Sequence, residues 1–115
     1  MEPLKKVAEL FSALANDTRL RILILLSHKE LCSCQLEWVL VMIQAKISRH
    51  LTVLKNAGLI KENRKGLWVF YSLAEPKTEI EKCIYKHLKG YLKEKSDVIK
   101  KDLVKMEKVI CKPLD

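Results

Sequence analysis

Apolar side chains recur every three or four positions through residues 3–15, at Leu4, Val7, Leu10, Phe11 and Leu14. That is the period of one face of an α-helix, and it predicts a first helix there. Asn16-Asp17-Thr18 interrupts the pattern, and Asp17 is read as the N-cap of a second helix. This second helix, TRLRILILLSH, is apolar on nearly every side beyond Arg21, which predicts a central, buried position. A third helix is predicted to start near the cysteines of KELCSCQLEW, with Leu36, Val39 and Leu40 on one face. A fourth, QAKISRHLTVLKNAG, turns Ile47, Leu51 and Leu54 inward and Gln44, Lys46, Ser48, Arg49 and Lys55 outward. Gly58 stops it, since glycine takes the left-handed conformation without penalty.

The period then changes. LIKENRKGLWVFYSL contains two β-prone runs around Asn63-Arg64-Lys65-Gly66, a hairpin signal over about residues 60–73. Pro76 is expected to open a last long helix, about residues 76–111, that ends before Pro113. Ile80, Ile84, Leu88, Tyr91, Val98, Leu103, Met106 and Ile110 form a broken stripe along it. One small domain over residues 1–115 has little core left to cover that stripe, so a partner helix is expected. Gly90 is expected to mark a bend in it or a close approach of two helices.

Charge narrows the function. The 115 residues hold 22 Lys+Arg against 14 Asp+Glu, a formal charge of +8, and hydrophobic residues at 49% assure folding. A small domain this basic meets a polyanion, nucleic acid first and an anionic membrane surface second. No apolar run approaches the roughly 18 residues that span a bilayer. The start, MEPLKKVAEL, lacks the pattern of a secretory leader. The expectation is a reducing cytoplasm, where the four cysteines serve as thiols or ligands rather than disulfides.

Two short helices, a tight turn and a helix with an outward polar face make a helix-turn-helix, whose second helix enters the major groove. Lys46 and Arg49 suit guanine edges or phosphates, Gln44 suits adenine, and Ser48 suits the backbone. His50 is either a phosphate contact or a half-buried spacer. Arg64 and Lys65, expected at the hairpin tip, would reach phosphates or a minor groove.

LFSALANDTRLRILILL, ELCSC, KISRHLTVLKNAGLI and RKGLWVFYSL follow one another at the spacing of the ArsR/SmtB family of winged-helix repressors. The resemblance covers roughly residues 4–75, and the last helix matches in position and character only. It implies a mainly α fold with a small β-hairpin wing, and a homodimer formed through the terminal helices. It implies binding to an inverted-repeat operator in double-stranded DNA and release when a metal or metalloid binds. Carried onto this chain, the DNA-binding residues are Gln44, Lys46, Ser48, Arg49 and His50, with Arg64 and Lys65 on the wing. The chain departs from the family at Val41-Met42-Ile43, where a polar residue and a serine usually precede the recognition helix. A capping hydroxyl is therefore missing.

Cys32 and Cys34 lie at the expected start of the third helix, where unpaired N–H groups and the helix dipole favour a thiolate. Soft thiolates prefer soft ions, and ELCxC matches the arsenical-responsive members of the family. The resemblance thus implies arsenite, antimonite or another soft ion as inducer, with no resident cofactor. Where many of those members carry a third cysteine this chain has Glu37, so Cys83 or Cys111 is the candidate third ligand. Taken alone, each of these two reads better as a buried small hydrophobe. A redox or persulfide switch at Cys32 and Cys34 stays open, as does a regulator without any metal. Zinc is disfavoured because two ligands alone are visible. His28 reads as a partner of helix-end carbonyls, and His87 is the sole histidine of the last helix, which excludes the family's other metal site. No catalytic constellation or phosphate-binding glycine loop is visible, so an enzyme or thiol carrier is not expected.

Overall fold

The computed structural model describes residues 2–109. Its helices are α1 (Pro3–Leu14), α2 (Asp17–His28), α3 (Ser33–Leu40), α4 (Gln44–Asn56), α5 (Glu79–Lys95) and α6 (Asp97–Lys108). Its strands are β1 (Leu31–Cys32), β2 (Ile60–Lys65) and β3 (Trp68–Leu73), ordered β1-β3-β2 in one antiparallel sheet. This is a winged helix-turn-helix.

The core forms where the apolar stripes meet. Leu10 and Leu14 of α1, Ile22 and Leu25 of α2, Leu36 of α3, Ile47 and Leu54 of α4 and Leu59 share one buried cluster. The α2 helix runs through its centre, buried from Ile22 to Leu26. Its cap is Asn16, not Asp17: the Asn16 carboxamide accepts from the Arg19 N–H at 3.0 Å. Asp17 is instead the first helical residue, where its charge complements the helix dipole. Gly58 has φ 76, the left-handed turn that releases the chain from α4 into the sheet.

The wing departs from the sequence reading in two respects. The turn is Gly66-Leu67 rather than Asn63–Gly66, with Gly66 at φ 64, so Arg64 and Lys65 end β2. A third strand, β1, also joins it, pairing Leu31 with Tyr71 and Cys32 with Phe70. A run of two residues carries no alternation, and a pairing across nearly forty residues has no local signature.

The predicted last helix is two. The first begins at Glu79 behind the Thr78 cap, three residues beyond Pro76. The chain then breaks at Ser96, which ends α5 and caps α6 by accepting from the Ile99 N–H at 3.2 Å. Gly90 marks neither a bend nor a close approach: it lies inside α5, exposed, with open space around it. The break lets α6 fold back, so part of the stripe meets its own domain. Ile99, Met106 and Val109 are buried, while Ile80, Tyr91 and Val98 remain exposed. Ile110 lies outside the described residues.

Polar contacts lock α6 in place. Arg21 of α2 donates from Nε and Nη2 to the two oxygens of Asp102 at 2.8 and 2.9 Å. Asp102 is 2% exposed, and this two-pronged pair supplies the charge that its burial requires. Lys105 donates to the Val39 carbonyl at 2.8 Å and lies 5.1 Å from the centre of the Trp38 ring. Its ammonium thus caps the C-terminal end of α3.

Candidate DNA interface and thiol site

Leu36, Val39 and Leu40 of α3 enter the same core as Ile47, Leu51 and Leu54 of α4. With those residues inward, Gln44, Lys46, Ser48 and Arg49 are exposed on the first turns of α4. Arg64 and Lys65 are exposed on β2. The Lys55 ammonium sits 3.1 Å from the Glu62 carboxylate, tying the far end of α4 to the wing.

His50 has a different partner. Arg19 of α2 donates from Nη1 to His50 Nδ1 at 3.3 Å and from Nε to the Ala13 carbonyl at 2.7 Å. A guanidinium only donates, so Nδ1 accepts and the imidazole is neutral. Burial pushes its pKa below the usual range, and Arg19, Lys46 and Arg49 push the same way. Its place is that of a half-buried link between α2 and α4.

The thiols meet at the head of α3. Cys32 ends β1 and occupies the N-cap position, and its N–H donates to the Gln35 side chain at 2.9 Å. Cys34 lies in the first turn, which bends the two side chains together: Sγ to Sγ is 3.1 Å, with no disulfide. A disulfide would measure about 2.0 Å. Two sulfurs on one tetrahedral ion with bonds of about 2.3 Å would stand about 3.8 Å apart. The pair therefore fits a soft ion after opening by a fraction of an ångström. Cys32 is 2% exposed and Cys34 is half-buried, so an ion would reach the pair from the Cys34 side.

The third ligand is not in place. Among the described residues no three His, Cys, Asp or Glu side chains gather around a common point. Cys83 is exposed on α5, which corrects its reading as a buried hydrophobe, and Cys111 lies outside the described residues. His28 does not bond a helix-end carbonyl through Nε2, which is buried with no hydrogen-bond partner among the described residues. Burial, with Lys89 and Lys93, lowers its pKa.

One strand joins the thiols to the wing. Cys32 pairs with Phe70, the Lys65 ammonium lies 4.8 Å from the centre of the Phe70 ring, and Lys65 meets the Glu30 carboxylate at 2.6 Å. A displacement of Cys32 has two outlets, into α3 and into β3.

Residues 16–62 match the family described as "Bacterial regulatory protein, arsR family". The chain is also 36% identical over 104 residues to the arsenic resistance transcriptional regulator ArsR1 of Pseudomonas putida, covering 90% of this chain and 79% of that one. The chain belongs to the ArsR family. Among solved structures it is similar to HlyU from Vibrio cholerae, at 32% identity and TM-score 0.68, over 79% of this chain and 97% of that one. It is similar too to the homodimeric winged helix-turn-helix DNA-binding domain of a possible ArsR-family regulator from Mycobacterium bovis. There the identity is 30% and the TM-score 0.67, over 79% of this chain and 82% of that one. As an ArsR-family winged helix-turn-helix, the chain is a DNA-binding transcription regulator.

Three participants escaped the sequence reading of this ArsR-family chain: Gln35, Glu30 and Arg19. Gln35 was accessible to it, because a glutamine three residues after an N-cap is a capping-box spacing. Glu30 and Arg19 were not, because their partners Lys65 and His50 lie 35 and 31 residues away.

Proposed function

We propose that the chain is a homodimeric repressor, paired through its terminal helices, that leaves its operator when a soft metal or metalloid closes on Cys32 and Cys34. Arsenite and antimonite are the favoured inducers, and the cytoplasm, which keeps the thiols reduced, is the expected compartment. In this reading Gln44, Lys46, Ser48 and Arg49 read or grip the major groove, and Arg64 and Lys65 bind phosphates from the wing. Cys83 or Cys111 supplies a third thiolate. The observation that carries the reading is the 3.1 Å Sγ–Sγ contact at the head of the helix preceding α4. Its weight comes from place: the same chemistry on a remote loop would have no lever on DNA.

The lever is mechanical. Opening the sulfurs around an ion shifts the first turn of α3 and, through Cys32 and Phe70, the strand of the wing. To carry the protein from 99% bound to 99% free, the ion must favour the released form by about 5.5 kcal/mol. A thiolate chelate can supply that. The same contact favours one second reading, a thiol switch. An oxidant such as a peroxide would take two electrons and two protons from the pair, joining the sulfurs.

The test uses a duplex selected from random DNA by the purified chain. Binding is measured with and without arsenite for the chain, Cys32→Ser and Cys83→Ser. Ultraviolet thiolate–arsenic absorption together with loss of DNA binding is expected for the chain and absent in Cys32→Ser. Loss of response in Cys83→Ser as well identifies the third ligand. Absorption without release, or no absorption, overturns the metalloid reading. Release by peroxide, reversed by dithiothreitol, then selects the thiol switch.

A further inference from the structure

Val41 and Ile43 flank Met42 at the mouth of α4. Met42 packs against the core, and its two neighbours point away, Val41 at 79% exposure and Ile43 at 73%. Neither side chain serves the fold. Val41 is held at φ 54, a left-handed conformation that strains a β-branched residue. Ile43 occupies the N-cap of α4 and makes no side-chain hydrogen bond there, where serine, threonine or aspartate would. Strain, a missing cap and an exposed apolar pair thus coincide next to Gln44, at the end of α4 that leads into the groove. Coincidences of this kind belong to functional sites rather than to folding.

We propose that Ile43 is a specificity-determining residue that packs on the C5-methyl group of a thymine in the major groove. Thymine is the one DNA base that presents a methyl group there, and apolar side chains read it by contact. The occupant follows from continuity. Ile43 adjoins exposed Gln44, Lys46 and Arg49, whose donors and charges suit base edges and phosphates rather than a protein surface. The inference rests on the proposed reading of DNA by α4, and it assigns to that site a preference for thymine beside the base pair met by Gln44.

The experiment keeps the two apart. Each thymine of a duplex selected from random DNA is replaced in turn by uracil, which removes the methyl group alone. Affinity is measured by fluorescence anisotropy for the full chain, Ile43→Ser, Ile43→Ala and Arg49→Ala. Burying one methyl group is worth about fourfold in affinity. A loss of about that size is expected for the full chain at one thymine per half-site. It should vanish in Ile43→Ser and shrink in Ile43→Ala, and thermal melting of both variants confirms folding. Arg49→Ala should bind more weakly and keep the thymine preference. Full-chain binding indifferent to every thymine methyl overturns the proposal, as does a preference that survives Ile43→Ser. A change in oligomeric state in Ile43→Ser would make the patch a protein contact and overturn it too. Unaltered binding in Arg49→Ala, with the thymine effect retained by the full chain and lost in Ile43→Ser, would count against Arg49 and support Ile43.

Discussion

The Glu30 carboxylate and the Lys65 ammonium stand 2.6 Å apart, joining the residue two positions before Cys32 to the end of β2. The hydrogen bond from Lys65 holds the Glu30 carboxyl below its ordinary pKa, so Glu30 is a carboxylate near neutrality. If Lys65 binds phosphate as proposed, the phosphate must compete with Glu30 for it. Glu30→Gln removes the competitor and is expected to tighten DNA binding by up to about fivefold, the ordinary ceiling for an exposed pair. The salt dependence should steepen by up to about one unit of slope, as one more cation becomes available to phosphate. Titrations at several salt concentrations check both, and unchanged or weaker binding would remove Glu30 from the wing's control.

Arg21 and Asp102 make the opposite kind of pair. Asp102 is 3% exposed at its side chain and Arg21 is 23%, and hydrogen bonding to Asp102 raises the arginine pKa. Asp102→Ala leaves the guanidinium partly buried without its acceptors. A loss of about 2–4 kcal/mol is expected in denaturant unfolding, the range for breaking a largely buried pair. Because α6 also caps α3 through Lys105, the variant should release α6 first, seen as early amide exchange along residues 97–108. Uniform exchange across α2, α3 and α6 would show that α6 is not separately anchored.

How far the sequence discloses these relationships depends on their range. The stripes that place Ile22, Leu36, Ile47 and Leu54 in the core repeat within a few residues, and the structure keeps every one inside. The Gly58 turn is equally local. Misjudgements occur where a distant partner decides. Between Pro76 and Pro113 the one local hint of the break is Ser96-Asp97, which has the form of a helix start, and what stabilises the break is the return of α6 to α2 and α3. In the candidate site, the closeness of Cys32 and Cys34 follows from two residues and a helix start. Their attachment to Phe70, and of Glu30 to Lys65, requires the sheet to form.

His28 and His50 give stability a pH dependence of definite sign. Burial and neighbouring lysines or arginines push both below the 6.5 of an ordinary imidazole, against weaker opposition from Glu107 and Asp17. Between 6.5 and the lowered folded values, the unfolded chain binds more protons than the folded one. Their contribution to stability is therefore complete above 6.5 and falls as pH drops through that window. Urea unfolding between pH 8 and 5 should show the decline, and His28→Gln with His50→Gln should flatten it. Stability that rises as pH falls from 7 would contradict both environments.

Val41 offers a substitution in which removing a side chain strengthens the protein. Its φ of 54 places a β-branched residue in the left-handed region, at a cost of about 1–2 kcal/mol. Its side chain is 79% exposed, so trimming it surrenders almost no burial. Glycine removes the strain, but its greater freedom in the unfolded chain takes back about 0.5–1 kcal/mol. Strain relief is the larger of the two, and Val41→Gly is expected to gain up to about 1 kcal/mol in denaturant unfolding. If the turn owes its shape to DNA reading, the gain should come with weaker operator binding, since a looser Met42-Ile43 aims α4 less firmly. A variant both less stable and unaltered in binding would show that the left-handed valine carries no strain.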